Sequence, residues 1–137
     1  MNPSKTDLRT KTNPHLFLLA GEELGAPGLR AMHCQMCDKF TLGRVLVCGH
    51  CLSRTLEPRA AGQTAELLEF AISEHPAGGF EAPYAIGMVR TSEKLTLFSP
   101  LVGDLWHFER GMPLRFVLLD RDGGRVAFAY APSPAVP

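Results

Sequence analysis

The sequence predicts a mainly β protein: an N-terminal helix, a small metal-held ribbon and then a five-stranded barrel of OB type. Three observations predict it. All four cysteines fall in the stretch "HCQMCDKFTLGRVLVCGHC" as two Cys-x-x-Cys pairs, Cys34 with Cys37 and Cys48 with Cys51. From residue 63 onward apolar residues recur at every second position in five separate runs, the period of half-buried strands. Between the third and fourth runs stands "GDLWHFERG", a short helical turn in the place where an OB barrel carries one.

Bulk properties set the frame. The 137 residues, 45% apolar and 20% charged, fit one ordinary folded domain or two very small ones and exclude a disordered chain. The run "LFLLA" is too short to span a membrane, and what precedes it lacks the basic-then-apolar order of a secretory signal, so the expected location is the cytoplasm. In that reducing compartment, paired thiols bind metal or do redox work more often than they form structural disulfides. A formal net charge of zero conceals a split. Residues 28–60 set Arg30, Lys39, Arg44, Arg54 and Arg59 against Asp38 and Glu57, whereas residues 61–137 carry more acid than base.

Taken in order, residues 1–12 are polar and without period, and read as a flexible tail. Residues 13–27 read as a helix, with Asn13 as its cap, Pro14 at its first position and Gly25 at its end; Leu16, Phe17, Leu19 and Leu24 give it an apolar side. Residues 28–61 are the ribbon. Residues 62–132 are the barrel, its strands marked by Leu68, Phe70 and Ile72; by Tyr84, Ile86 and Met88; by Leu95 and Leu97; by Leu114, Phe116 and Leu118; and by Val126, Phe128 and Tyr130. Asp104 caps the helical turn and Gly111 ends it. Asp122-Gly123-Gly124 supplies the positive φ angles of a tight hairpin. The long connection "EHPAGGFEAP" reads as a candidate binding loop. Residues 133–137 form a proline-rich tail. This tail and the "HLFLLA" helix look too poorly surrounded to bury themselves, which points to a partner.

The cysteines carry the clearest chemistry. Zinc takes four sulfurs at tetrahedral corners about 2.3 Å away; one Cys-x-x-Cys turn supplies two and a second completes the shell. Iron in a similar shell is the rival metal. Four thiolates leave no open position for water or substrate, so the metal is structural and stands in for a core that so short a segment cannot build. A dithiol redox role needs a lone Cys-x-x-Cys where a strand leads into a helix, a context missing here. His33 and His50 adjoin the knuckles as substitute ligands, but the thiols already fill the shell. No serine, cysteine or lysine nucleophile stands beside a base in a recognisable motif. Glu66, Glu69 and Glu81 read as solvated carboxylates, His75 as a surface residue, and His107 as half-buried beside Trp106.

The order of these marks resembles the acyl-CoA-associated family of rubredoxin-like zinc ribbon plus OB-fold proteins, the domain of unknown function 35 family. The residues that carry the resemblance are the two knuckles, Gly62 where the ribbon gives way to the barrel, "APYAIGMVRTSEKLTLFSPLVG", "ERGMPLRFVLLD" and the terminal "FAYAP". The resemblance covers residues 14–132. It implies a small zinc-containing partner subunit of thiolase-superfamily enzymes, in complexes that make or cleave carbon–carbon bonds of acyl-CoA thioesters, such as those degrading benzoylsuccinyl-CoA or steroid side chains. By that resemblance the nucleophile and general base belong to the catalytic partner, and acyl-CoA is the shared substrate of the complex.

Two other functions follow from the residues alone. Ribbons and OB barrels often bind single-stranded nucleic acid through a positive groove lined with rings. Phe70, Tyr84, Phe98, Phe116, Phe128 and Tyr130 are the available rings, but the barrel segment is net acidic and most of them fall on the apolar alternation, which disfavours this reading. A self-contained zinc enzyme conflicts with a saturated shell. Arg30, Arg44, Arg54 and Arg59 are the candidates for a basic patch facing a CoA nucleotide; they also offset the formal charge of −2 on a zinc tetrathiolate, which lowers the segment's surplus to about +1.

Overall fold

The computed structural model describes residues 10–22, 24–76 and 80–133. Among the described residues, ten strands run in the order β1 (Thr10–Lys11), β2 (Phe17–Leu18), β3 (Gly28–Cys34), β4 (Phe40–Leu42), β5 (Leu56–Ala61), β6 (Thr64–Ser73), β7 (Tyr84–Thr91), β8 (Thr96–Leu101), β9 (Pro113–Arg121) and β10 (Arg125–Pro132). Among the described residues no helix is long and apolar enough to cross a membrane.

Strands β6 to β10 are the five predicted from the period-two runs, and they close on themselves. The sheet runs β10-β8-β7-β6-β9, and β9 pairs back to β10 along its whole length. Closure removes exposed edges. Leu114, Phe116 and Leu118 of β9 face Val126, Phe128 and Tyr130 of β10 in one core, as the alternation predicts, with the Phe116 and Phe128 rings stacked at 5.9 Å. The turn Leu105–His107 lies between β8 and β9 as expected, and Asp104 Oδ1 accepts the Trp106 amide at 3.0 Å; it ends at Phe108 and not at Gly111, which at φ 84° belongs to the following turn, Glu109–Met112. Gly123 and Gly124 take the left-handed conformation in the last hairpin.

Two strand faces differ from the sequence reading. In β6 the register shifts between Leu67 and Glu69. The extra residue changes the alternation, so Leu67 is fully buried while Phe70 and Ile72 still pack on the same core, and Leu68 does not share their face. In β7 the inward residues are Ala85, Gly87, Val89 and Thr91, and the larger Tyr84, Ile86 and Met88 stand on the other face. The reason is space: a Cβ on Gly87 would lie 2.8 Å from side-chain carbons of both Leu67 and Leu101. A narrow barrel takes small residues where large ones converge from opposite walls.

The predicted helix over 13–27 is not formed. Asn13–Leu16 and Leu19–Glu22 are tight turns, and between them Phe17 and Leu18 form β2, antiparallel to Leu29 and Gly28. A single-sided amphipathic helix buries alternate turns of its surface, but here Phe17, Leu18 and Leu19 are all buried, at 0%, 0% and 1% exposure. An extended segment covered on both faces, as β2 is beside β3, buries all three. Phe17 packs on Phe128 at 5.5 Å and Leu19 joins the barrel core. The "HLFLLA" segment is therefore consumed within its own chain and offers no partner surface. Thr10 and Lys11, at the end of the predicted tail, pair in parallel with Arg125 and Val126. Residues 1–9 and 134–137 of the two predicted tails lie outside the described residues.

The ribbon is built on β3. Its first residues pair with β2, its later ones with β4, and its opposite edge with β5 from Leu29↔Ala61 to Cys34↔Leu56. Ribbon and barrel share one core, because Phe17, Leu19 and Leu29 cluster with Leu67, Val89, Leu114 and Tyr130. Gly62 forms the joint at φ 75°; its N–H donates to Glu93 Oε1 at 3.0 Å and its carbonyl accepts the buried Tyr130 hydroxyl at 2.6 Å.

Candidate metal centre

The two knuckles are built alike. In each, the first cysteine's N–H donates to the carbonyl five residues on: Cys34 to Lys39 at 2.9 Å, and Cys48 to Ser53 at 2.8 Å. In each, the first cysteine's carbonyl accepts the amide four residues on, from Asp38 at 2.9 Å and from Leu52 at 3.1 Å. Those two residues, Asp38 and Leu52, both take φ 64°, a left-handed turn that folds the second cysteine back toward the first. Two locally determined turns therefore present four sulfurs to one point.

The sulfurs of Cys34, Cys37, Cys48 and Cys51 all lie within 4.8 Å of one another, with Cys34–Cys51 at 3.5 Å and Cys37–Cys48 at 3.6 Å. A tetrahedron with zinc–sulfur bonds of about 2.3 Å has edges of about 3.8 Å, close to the two shortest pairs, so small side-chain adjustments suffice for the set to take a zinc tetrathiolate. Backbone donors prepare it. The amides of Cys37 and Met36 hold the Cys34 thiol below its ordinary range. Those of Cys51 and His50 bring Cys48 down to about 6. Cys37, despite the amide of Lys39, is pushed up to about 12 by burial and by the sulfurs beside it. Two thiols thus ionise readily and the others surrender their protons as a cation arrives, so metal uptake releases protons.

The flanking histidines stay outside the sulfur cluster. His33 Nε2 meets Asp38 Oδ1 at 2.6 Å and its ring packs on Phe40 at 4.8 Å, which ties the first knuckle to the ribbon sheet. His50 is exposed, and its amide donates to Cys48 Sγ at 3.3 Å. The four arginines differ in their surroundings. Arg30 is 5% exposed and its charge acts on Glu22, Arg59 pairs with Glu57, and Arg44 and Arg54 are exposed on the second knuckle's flanks.

Among the described residues, the carboxylates and histidines singled out in the sequence do not gather into an acid/base constellation. Glu66 pairs with Arg90 at 2.7 Å and Glu69 with Arg110 at 3.1 Å. His75 is exposed, and so is His107, contrary to its predicted half-burial, at 3.3 Å from Asp104. Of the six candidate stacking rings, Phe70, Phe116, Phe128 and Tyr130 belong to the core, and only Tyr84 and Phe98 remain on the outside of β7 and β8. Glu81, beside Tyr84, lines a cleft of about 490 Å³ at one end of the barrel, with Phe80, Leu101, Leu119, Asp120, Arg121 and Asp122. Sequence reasoning singled out the loop that carries Phe80 and Glu81 but not the outward turn of β7, whose signal was the lone glycine within "AIGMV". Residues 77–79 of that loop lie outside the described residues.

No family model matches the sequence, and no curated protein matches it. Among solved structures, a chain of the "Ltp2-ChsH2(DUF35) aldolase" superposes with a TM-score of 0.66 at 26% identity, covering 77% of this chain and 84% of that one. A protein of unknown function from the DUF35 family of Sulfolobus solfataricus matches at 15% identity and a TM-score of 0.46, covering 72% of this chain and 73% of that one.

Proposed function

We propose, from the chain's kinship to the domain of unknown function 35 proteins, that it is a non-catalytic, zinc-containing accessory subunit of a thiolase-type complex that cleaves or forms carbon–carbon bonds of acyl-CoA substrates. The observation that carries the reading is the likeness to a chain of an aldolase over 77% of this sequence. Chemistry on the page supports it. The four sulfurs that fit a zinc ion leave it no vacant position, so a metal there shapes the ribbon and activates no water. Of the carboxylates weighed as acid or base, Glu66 and Glu69 are spent on arginines and Glu81 is open to solvent. In this reading the thiolase-superfamily partner supplies nucleophile and base, and the barrel helps to assemble the complex and enclose its acyl-CoA.

The single-stranded nucleic-acid reading loses its physical basis at the surface where OB barrels bind. That surface is the outer face of the second and third strands with the adjoining loops. Here β7 contributes one outward cation, Arg90, already paired with Glu66, and the cleft beyond it holds three carboxylates against one arginine. Phosphates need the reverse.

The test is purification from the native host with mass spectrometry of what accompanies the chain. The expected result is a thiolase-type subunit, about one zinc per chain, and turnover of an acyl-CoA thioester by the assembly but not by the chain alone. Turnover by the isolated chain, or a polymerase or ribosomal companion, overturns the proposal.

A further inference from the structure

The inward turn of β7's small residues leaves something unusual outside. On a strand with one wet face, polar residues normally face water. Here Ile86 and Phe98 are 40% and 69% exposed, and cross-strand register joins them into one surface. Ile86 lies between Ala71 of β6 and Pro100 of β8, and Met88 lies opposite Phe98. Single exposed apolar residues are ordinary, but two adjacent apolar rows on a closed barrel are not. At one end the rows stop at the Glu66–Arg90 pair. At the other, Tyr84 stacks on Phe80 at 5.2 Å, and the surface passes into the barrel-end cleft. There Glu81, Asp120 and Asp122 outnumber Arg121, whose guanidinium lies over the Phe80 ring at 3.9 Å.

We propose that the outward face of β7 and β8, together with this acidic cleft, is the surface on which the catalytic subunit docks, and that it takes an apolar segment flanked by a basic side chain. The proposal rests on the functional reading above and names the part of this chain that performs it. The occupant follows from charge and polarity. An apolar stripe without free cations rejects a phosphate backbone and accepts apolar side chains. The carboxylate rim beside an aromatic wall suits a lysine or arginine, which gains both from the negative field and from the ring faces. The apolar residues exposed around the knuckles, Met36, Leu46 and Leu52, sit instead on the basic ribbon and serve as an internal control.

The experiment compares the full zinc-loaded chain, free and in its purified complex, by hydroxyl-radical footprinting, and then repeats the purification with variants. Phe98, Ile86 and Met88 are expected to be protected in the complex while Met36 and Leu52 keep their reactivity. Phe98→Glu alters a mostly exposed side chain, so metal content and melting temperature stay close to the parent values; Ile86→Glu, at a position 40% exposed, is read only in chains whose metal content and fold match the parent. Each is expected to weaken the complex by about 30-fold or more, the loss typical of a central contact. Glu81→Lys with Asp122→Lys is expected to weaken it by about tenfold through the basic anchor. If the Phe98→Glu chain still assembles fully with a thiolase-type subunit, or the stripe stays reactive in the complex, this surface is wrong and the functional reading stands. If the free chain is a dimer that Phe98→Glu dissolves, a second copy is the occupant and the proposal falls. If no thiolase-type subunit accompanies the parent chain, the functional reading fails and the docking surface fails with it.

Discussion

Replacing Tyr130 by phenylalanine removes one oxygen from the joint between ribbon and barrel and leaves the ring packing intact. Tyr130 is fully buried between Phe116 and Phe128, and its hydroxyl donates to the Gly62 carbonyl at 2.6 Å. Without it a buried carbonyl has no partner, which costs about 1–3 kcal/mol. At about 2.1 cal/mol/K of unfolding entropy per residue, a chain of this length loses about 4–10 °C of melting temperature. Thermal unfolding followed by circular dichroism measures this directly. A second readout uses pH. Burial, and next the charge of Glu93, push the Tyr130 hydroxyl's pKa well above its ordinary value of 10.0. The folded state therefore keeps a proton that the unfolded state gives up, so this contribution is complete below about pH 10 and is lost as the pH rises beyond it. The gap between parent and Tyr130→Phe should accordingly narrow above pH 10. A drop of under about 1 °C at neutral pH, or a gap that widens in alkali, would show that water reaches the Gly62 carbonyl and that the joint is not closed. Gly62→Ala is the harsher companion: at φ 75° its new Cβ would lie 2.6 Å from Leu29 Cδ1 and 2.7 Å from Tyr130 Oη, so it is expected to cost more than Tyr130→Phe.

Two further outcomes follow from the same structure. Stripping the metal with a chelator, or removing a ligand with Cys37→Ser, is expected to lower the melting temperature by on the order of 10 °C or more in one cooperative step, because Phe17, Leu19 and Leu29 tie the ribbon into the barrel core; two separated transitions in calorimetry would show that the lobes melt independently. Glu22 supports the N-terminal turns. Burial opposes its charge, but the Leu19 amide at 2.7 Å and Lys11 Nζ hold its pKa below 4.5. Its contribution is present above about pH 4.5 and is lost as the pH falls through the lower folded value, so Glu22→Gln should destabilise at pH 7 and converge on the parent in acid; parallel stability curves down to pH 3 would refute this.

What could be read from the chain was whatever rests on neighbours in sequence. A Cys-x-x-Cys turn is closed by its own backbone, with Asp38 and Leu52 supplying the left-handed step, so the gathering of Cys34, Cys37, Cys48 and Cys51 was legible without knowing where the ribbon sits. The same holds for the helical turn capped by Asp104 and for the hairpin at Gly123 and Gly124. In β10, Val126, Phe128 and Tyr130 alternate with Arg125 and with the small Ala127, Ala129 and Ala131, and the inward face was unambiguous.

Other features waited on contacts distant in sequence. "NPHLFLLAGEELG" satisfies every local rule for a capped helix, yet β3 and the barrel core provide an open edge and a cover that make the extended form the better burial for Phe17, Leu18 and Leu19. In "AIGMV" both alternate faces are apolar, so the period could not say which one points inward. The carbons of Leu67 and Leu101 decided it by leaving room only for Gly87. By itself the sequence determined the four-cysteine cluster, the five barrel strands, the last hairpin and the turn capped by Asp104, because backbone geometry over a few residues suffices for these. Only the tertiary structure decided the fate of the N-terminal segment, the joint at Gly62 and the outward face of β7, because each depends on which side chains fill the same small volume from opposite walls.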